Sequence, residues 1–290
     1  MSLPSGAALC FSGRMFRSEP KIYLLPNLMT AGNLFCGFAA VLRIIEGGLL
    51  STGESIASGK YHEAIAFILG ACVFDLLDGR LARLGGNESA FGREFDSLAD
   101  IVSFGVAPAL LVYDIVLSDF AKTGWVIAFF YLLCGGLRLA RFNCLAAAEP
   151  SGSTKDFEGF PIPAAAGVIA SLTLFMLWMA EGQREIGPWK FALPVLMVFL
   201  SILMFSRVRY PSFKAVNWRT QRSIPKFLTI IVILVFAAMN WEWMPAVLFV
   251  LFLAYGFVRP FASKALRREI EDMDDPDERP ETGDPGAPGE

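Results

Sequence analysis

The chain has 290 residues, of which 54% are hydrophobic and 18% charged, and its formal net charge is −3. A soluble globular domain of this length carries more charge, so that class is excluded, and we expect no nucleic-acid partner. The five cysteines show no paired spacing, which argues against a disulfide framework or a CxxC metal site.

The apolar residues fall in long blocks, the pattern typical of transmembrane helices. Tryptophans lie near the ends of several blocks, as expected for an aromatic belt at a membrane surface. In chain order the blocks cover 24–45, 62–84, 94–118, 123–144, 162–181, 189–206, 225–240 and 243–260. The sequence therefore predicts an all-α integral membrane protein, with a catalytic bundle of about eight transmembrane helices over residues 24–260.

Two polar segments flank this predicted bundle. Residues 1–23 form a basic leader that is expected to be cytoplasmic, either as a short helix on the membrane surface or as a disordered segment. The first apolar block is too long for a signal peptide, so we expect it to be retained. Residues 261–290 are acidic and end in Pro and Gly, which predicts a disordered tail because such a segment cannot bury a core.

The positive charges predict the orientation in the membrane. Lys and Arg concentrate in the N-terminus, in every second loop and in the C-terminus. The opposite loops hold only Lys60, Lys122, Arg184 and Lys190. Because positively charged loops stay in the cytoplasm, both termini are predicted to be cytoplasmic. We expect a multi-pass protein of the inner or plasma membrane of a prokaryote.

One group of polar residues lies at the cytoplasmic turn between the second and third blocks. It has the pattern D-x2-D-G-x2-A-R-x8-G-x3-D-x3-D and comprises Asp75, Asp78, Gly79, Ala82, Arg83, Gly92, Asp96 and Asp100. The aspartates are three and four residues apart, so each pair shares one helical face. Aspartate pairs of this kind ordinarily lie on solvent-exposed helix faces and form salt bridges. The long apolar segments on both sides of the pattern argue against that interpretation here. Carboxylates at this depth are costly and are a functional site by default.

Four carboxylates facing each other suit Mg²⁺ or Mn²⁺, which prefer oxygen ligands and substrate phosphates. Two divalent cations would nearly balance the four negative charges and could orient a phosphate. Gly79 would allow a ligand to approach the backbone, and Arg83 offers a bidentate fork for a phosphate. The sequence therefore predicts a two-metal site that acts on a phosphate-containing substrate.

At these positions the sequence resembles the CDP-alcohol phosphatidyltransferase family, whose signature it matches at every fixed position. The resemblance implies transfer of a phosphatidyl group from CDP-diacylglycerol to an alcohol, with release of CMP. Four other segments are similar to the branch of the family that uses L-serine. They are LLPNLMTAGNLFCGFAA (24–40), GGLRLARFN (135–143), FEGFPIPAAA (157–166) and SRVRYPSFK (206–214). The expected partners are therefore CDP-diacylglycerol, L-serine and membrane lipids, and the oligomeric state stays open, a homodimer included.

The resemblance assigns roles to individual residues. It implies metal ligands at Asp75, Asp78, Asp96 and Asp100. It also implies CDP-lipid contacts at Asn27, Thr30, Gly79, Arg83, Ser89 and Gly92. For Asn27 and Thr30, capping of the first helix is an equally good interpretation. Asp100 is expected to be the general base as well, and its position one turn beyond Asp96 could turn it toward the incoming hydroxyl.

A serine zwitterion needs a cation for its carboxylate and acceptors for its ammonium group. Arg138 and Arg141 lie three residues apart on one helical face, with Asn143 beyond them, and could bind the carboxylate or a phosphate. Their alternative role is to anchor the helix by the positive-inside rule. Glu158 could meet the ammonium group.

Three other functions compete with transfer to serine. The same chemistry could use glycerol 3-phosphate, inositol phosphate or choline as the acceptor. The aspartates could instead carry cations or protons in a transporter. A magnesium-binding structural membrane protein without catalysis is the third alternative. Vesicle flux without CDP-lipid would indicate the transporter, and absence of CMP release would indicate the structural protein.

Overall fold

The computed structural model describes residues 24–50, 54–84, 89–148, 157–181, 191–206, 209–210 and 239–261, and these residues are almost entirely helical. The α-helices are α1 (Leu24–Leu49), α2 (Glu54–Leu84), α3 (Ala90–Asp100), α4 (Ala107–Ile115), α5 (Ala121–Ala148), α6 (Ile162–Glu181), α7 (Ala192–Phe205) and α8 (Met244–Phe261). A π-helix (Ile101–Val106) joins α3 to α4, and a 3₁₀-helix (Leu117–Phe120) precedes α5.

Seven of the eight predicted blocks are helical. The leader lies outside the described residues, as does nearly all of the predicted block 225–240 and of the tail. One feature that we did not predict is an antiparallel pair of two-residue strands, β1 (Phe157–Glu158) and β2 (Arg209–Tyr210).

Within the described part of the chain, four helical stretches are long and apolar enough to cross a membrane. They are Leu24–Leu49, Phe91–Ile115, Leu117–Leu145 and Ile162–Ala180. Two shorter apolar helices cover Ala192–Phe205 and Met244–Tyr255. The predicted class of helical membrane protein is therefore supported, while the number of eight spans stays a prediction. Helix α2 is long enough to cross a membrane, but its charged residues exclude it from the four apolar stretches.

Helices α1 and α2 pack along each other, and polar contacts join them near both ends. At one end Thr30 lies within hydrogen-bonding distance of Asp78, with 3.3 Å between Oγ1 and Oδ2. At the other end the Arg43 Nε atom lies 2.8 Å from an oxygen of Glu63. Thirteen residues separate Thr30 and Arg43, a rise of about 20 Å. The Arg43–Glu63 ion pair is half-exposed and adds little stability, so we assign it mainly a role in the register of the two helices.

The π-helix begins directly after Asp100. Near its other end, the backbone carbonyl of Phe104 receives its hydrogen bond from a side chain, and a proline explains why. Pro108 near the start of α4 has no amide hydrogen for the carbonyl of Phe104 four residues earlier. The hydroxyl of Tyr131 on α5 donates to that carbonyl instead, at 3.1 Å. Both Tyr131 and Phe104 are fully buried. The segment that follows Asp100 is thus fixed against α5.

Large apolar side chains lie both inside the bundle and on its outer surface. The core includes Ile65, Ile68 and Leu111, which are fully buried. Many others point outward and are exposed, for example Phe35, Trp125, Phe129, Val195 and Leu251. An apolar outer surface of this extent is unfavourable in water and is the surface expected to face lipid.

Candidate metal centre and active site

Three carboxylates converge where α2 and α3 meet. Asp75 and Asp78 share one face of α2 because they are three residues apart, and Asp96 comes from α3. One oxygen from each carboxylate lies within 4.8 Å of the others. Asp78 is only 5% exposed, and Oδ1 of Asp96 is buried with no hydrogen-bond partner among the described residues. Three close carboxylate oxygens fit a hard divalent cation, which prefers oxygen ligands.

The start of α3 is held next to this cluster by a helix cap. Ser89 is the N-cap residue, and its hydroxyl accepts a hydrogen bond from the backbone N–H of Gly92 at 2.9 Å. A Cβ atom on Gly92 would lie 3.3 Å from Oδ1 of Asn27. Glycine at this position therefore lets the start of α1 approach the start of α3, which brings three of the predicted CDP-lipid residues together.

Helix α1 presents a polar face to the carboxylates. Thr30 contacts Asp78, and the side-chain N–H of Asn33 donates to Oδ1 of Asp100 at 3.1 Å. Asn33 was not among the site residues predicted from the sequence. It could have been found, because Asn27, Thr30 and Asn33 recur every three residues in an otherwise apolar helix and so share a face.

Asp100 occupies a separate position. It is the last residue of α3, one helical turn after Asp96, and it is 6% exposed. It is not one of the three carboxylates whose oxygens converge within 4.8 Å. This arrangement leaves three carboxylates for a cation and one further carboxylate, hydrogen-bonded to α1, beside them.

The remaining predicted CDP-lipid residues lie around the same end of the bundle. Asn27 has a buried Nδ2 atom with no partner among the described residues, so it is available to a ligand. Gly79 follows Asp78 in α2 and is half-buried. Arg83 lies in the last turn of α2, and its side chain is outside the described part of the structure.

Helix α5 carries most of the residues predicted to bind serine. Arg138 is half-buried, and its Nε atom is buried without a partner among the described residues. Asn143 donates from Nδ2 to the hydroxyl of Ser97 on α3 at 2.9 Å, and its own Oδ1 is buried and unpartnered in the described part. Ser97 directly follows Asp96, so this contact ties α5 to the cluster. Arg141 is also half-buried.

Glu158 lies in β1, where it pairs with Arg209 of β2 in the strand register. The side chains of both residues lie outside the described part of the structure. The strand pair therefore joins the loop before α6 to the segment after α7, two of the segments on which the sequence resemblance rests.

The fold and the cluster together define a helical membrane protein with a carboxylate site suited to a divalent cation. The sequence profile of the CDP-alcohol phosphatidyltransferase family matches residues 23–205. The chain therefore belongs to this family, and the family prediction is confirmed. The match covers helices α1 to α7 and every residue of the aspartate pattern.

Individual relatives extend the similarity beyond that region. The chain is 34% identical over 243 residues to the CDP-diacylglycerol–serine O-phosphatidyltransferase of Helicobacter pylori (strain ATCC 700392 / 26695), covering 82% of this chain and 91% of that protein. It is 34% identical over 192 residues to the protein of the same name from Bacillus subtilis (strain 168), covering 66% and 91%. The archaetidylserine synthase of Methanothermobacter thermautotrophicus is 34% identical over 189 residues, covering 64% and 69%.

Proposed function

We propose that this protein transfers the phosphatidyl group of CDP-diacylglycerol to L-serine, giving phosphatidylserine and CMP. The observation that carries the proposal is the convergence of Asp75, Asp78 and Asp96 within the family pattern. The acceptor is supported by the names of the relatives, which include serine-using enzymes from distant organisms.

Asp75, Asp78 and Asp96 hold the divalent ions in this proposal, with Asp100 in contact as a fourth carboxylate. The ions are Mg²⁺ or Mn²⁺, and two of them suit the charge of the four carboxylates. When bound, such ions neutralise the diphosphate and the charge that grows on the leaving oxygen. The Thr30 hydroxyl lies 3.3 Å from Oδ2 of Asp78 and 3.2 Å from the carbonyl oxygen of Pro26, so its one proton is available to either acceptor.

Asp100 acts as the general base. Its carboxylate takes the proton of the serine hydroxyl, whose oxygen attacks the lipid-side phosphorus. The bond between that phosphorus and the oxygen of the CMP leaving group breaks, and CMP departs carrying the negative charge. The burial of Asp100 and its position outside the group of three support this division of roles.

Two sets of residues bind the substrates. Those proposed for the CDP-lipid are Asn27, Thr30, Gly79, Arg83, Ser89 and Gly92. Nδ2 of Asn27 supports this set, because it has no partner in the described part of the chain. Those proposed for serine are Arg138, Arg141, Asn143 and Glu158. Neither Nε of Arg138 nor Oδ1 of Asn143 has a partner among the described residues. The first is a donor for the serine carboxylate, and the second is an acceptor for the ammonium group.

Acceptor competition tests the proposed function. The purified protein is given CDP-diacylglycerol with L-serine, glycerol 3-phosphate, inositol phosphate or choline, and CMP release is measured. We expect L-serine to have the highest kcat/KM. A preference for glycerol 3-phosphate would refute the acceptor while leaving the transfer chemistry intact. Absence of CMP release with every alcohol would refute the enzyme itself.

Arg138→Ala is expected to raise the KM for L-serine more than that for CDP-diacylglycerol. Loss of a charge-assisted hydrogen bond costs about 1.5–3 kcal/mol, or roughly ten- to more than a hundredfold in affinity. Arg43→Ala is the matched control, because Arg43 pairs with Glu46 and Glu63 at the other end of α1. If only the KM for CDP-diacylglycerol rises in Arg138→Ala, Arg138 binds the diphosphate and not L-serine.

We also propose the orientation and extent of the protein in the membrane. The bundle has eight spans over residues 24–260, with both termini, the basic leader and the acidic tail in the cytoplasm of a prokaryote. The cluster then lies at the cytoplasmic side, where a water-soluble nucleotide can leave. The distribution of Lys and Arg supports this orientation.

Cysteine labelling tests the orientation. In a Cys10→Ser, Cys144→Ser background, Asn87→Cys should react with a membrane-impermeant maleimide only after permeabilisation, although residue 87 itself lies outside the described residues. Gly59→Cys is the matched control at the other end of α2, where an added side chain meets open space. It should react in intact cells. Efficient labelling of Asn87→Cys in intact cells would invert the topology.

A further inference from the structure

Asn33 of α1 makes a buried hydrogen bond to Asp100 of α3. It lies in the apolar helix α1 and is fully buried. A buried amide in a membrane helix is costly unless it is paired, and among the described residues only the N–H side of this amide has a partner, because its Oδ1 has none. The N–H of its side chain donates to Oδ1 of Asp100 at 3.1 Å. Among the residues that the structure describes, it is the one hydrogen-bond donor to that carboxylate.

The backbone around this contact is fixed from both sides. The hydroxyl of Ser103, in the π-helix after Asp100, donates to the backbone carbonyl of Asn33 at 2.9 Å. A Cβ atom on Gly37 would lie 2.6 Å from the Cα of Ser103, so α1 and the π-helix touch at the backbone. Tyr131 holds the same π-helix from α5. π-helical segments of this kind are frequent at functional sites.

The contact also distinguishes the two oxygens of Asp100. Oδ1 receives the amide of Asn33, while Oδ2 receives no donor from the described residues. A carboxylate that turned freely about its last bond would offer either oxygen to a substrate, and its geometry would be right only part of the time. The amide of Asn33 restricts that freedom by engaging Oδ1, which leaves Oδ2 as the oxygen without a donor among the described residues.

We infer that Asn33 is a positioning residue that orients Asp100, so that Oδ2 is the oxygen that takes the proton of the acceptor alcohol. The inference rests on the proposed function, in which Asp100 is the base. Asn33 itself does not touch the reacting atoms, and its effect is on kcat because it acts on the geometry of proton transfer and not on substrate binding.

Two substitutions of different volume test the inference. Asn33→Leu keeps a side chain branched at Cγ, although a larger one, and removes the donor, whereas Asn33→Ala removes both the branch and the donor. If the donor matters, both variants should lose about ten- to a hundredfold in kcat. The KM values for L-serine and CDP-diacylglycerol should stay within about threefold of the wild type, as should the Mg²⁺ concentration at half activity. A packing role would instead make the two variants differ and would spare Asn33→Leu.

Thr173→Ala is the matched control. Thr173 is a fully buried hydroxyl on α6 that donates to the carbonyl of Ile169 at 2.8 Å. Its loss should lower the thermal unfolding temperature without changing kcat. Wild-type kcat in either folded Asn33 variant, or a loss that appears in KM or in the Mg²⁺ requirement, would overturn the inference. Failure of the proposed function would appear in the wild type, whereas failure of this inference would appear only in the variants.

Discussion

Asp78→Asn is expected to abolish CMP release while the protein still inserts and folds. The substitution keeps the shape of the side chain, and an amide oxygen can still accept the hydroxyl of Thr30, which lies 3.3 Å from Oδ2. It removes one of the three charges that converge within 4.8 Å. Mutating a group that only hydrogen-bonds to a metal ligand typically lowers activity about ten- to a hundredfold. Removing a ligand itself should therefore lower activity by more than about a hundredfold.

The measurement is CMP release at saturating CDP-diacylglycerol and L-serine, with thermal unfolding in detergent as the test of folding. Stability in metal-free buffer should be unchanged or higher, because one like charge is gone. Asp114→Asn is the matched control, since Asp114 is a carboxylate on α4 that accepts a hydrogen bond from Tyr61 at 2.8 Å. Near wild-type activity of Asp78→Asn at ordinary concentrations of Mg²⁺ or Mn²⁺ would contradict the assignment of the three carboxylates as a metal site.

Removal of divalent cations is expected to stop the reaction completely and reversibly. Two like charges about 4 Å apart repel by about 4 kcal/mol at an effective dielectric constant of about 20. A diphosphate that enters a cluster of three carboxylates meets several such repulsions at once. Without cations, the bound substrate is therefore strongly disfavoured.

The experiment is dialysis against EDTA, followed by the assay before and after addition of Mg²⁺ or Mn²⁺. EDTA already saturated with Mg²⁺ serves as the control for effects of the chelator on the membrane or detergent. Activity should return with free divalent cation and should be unaffected by the saturated chelator. Full turnover after exhaustive chelation would contradict the account.

The apolar blocks predicted the helices well because length and hydropathy alone determine which segments cross a membrane. The predicted block 162–181 coincides with α6, and the block 24–45 begins with α1, which ends four residues later at Leu49. The aspartate spacing likewise predicted shared faces, since the period of a helix fixes which residues are neighbours. Family membership followed from the same pattern and is confirmed by the profile match over residues 23–205.

Contacts between distant segments were the part that the sequence analysis missed. The pairing of Asn33 with Asp100 joins residues 67 positions apart, and no local rule relates them. The strand pair depends on where the ends of α6 and α7 meet, which helix periodicity does not determine. The roles of individual site residues, the second metal ion and the eight spans stay predictions.

The most direct test of the central claim is an experimental structure of the protein with Mn²⁺ and CDP-diacylglycerol, with the manganese located by its anomalous scattering. We predict manganese coordinated by Asp75, Asp78 and Asp96 and also bound to the diphosphate of the lipid. Manganese found only elsewhere, or a diphosphate bound away from these carboxylates, would contradict the account.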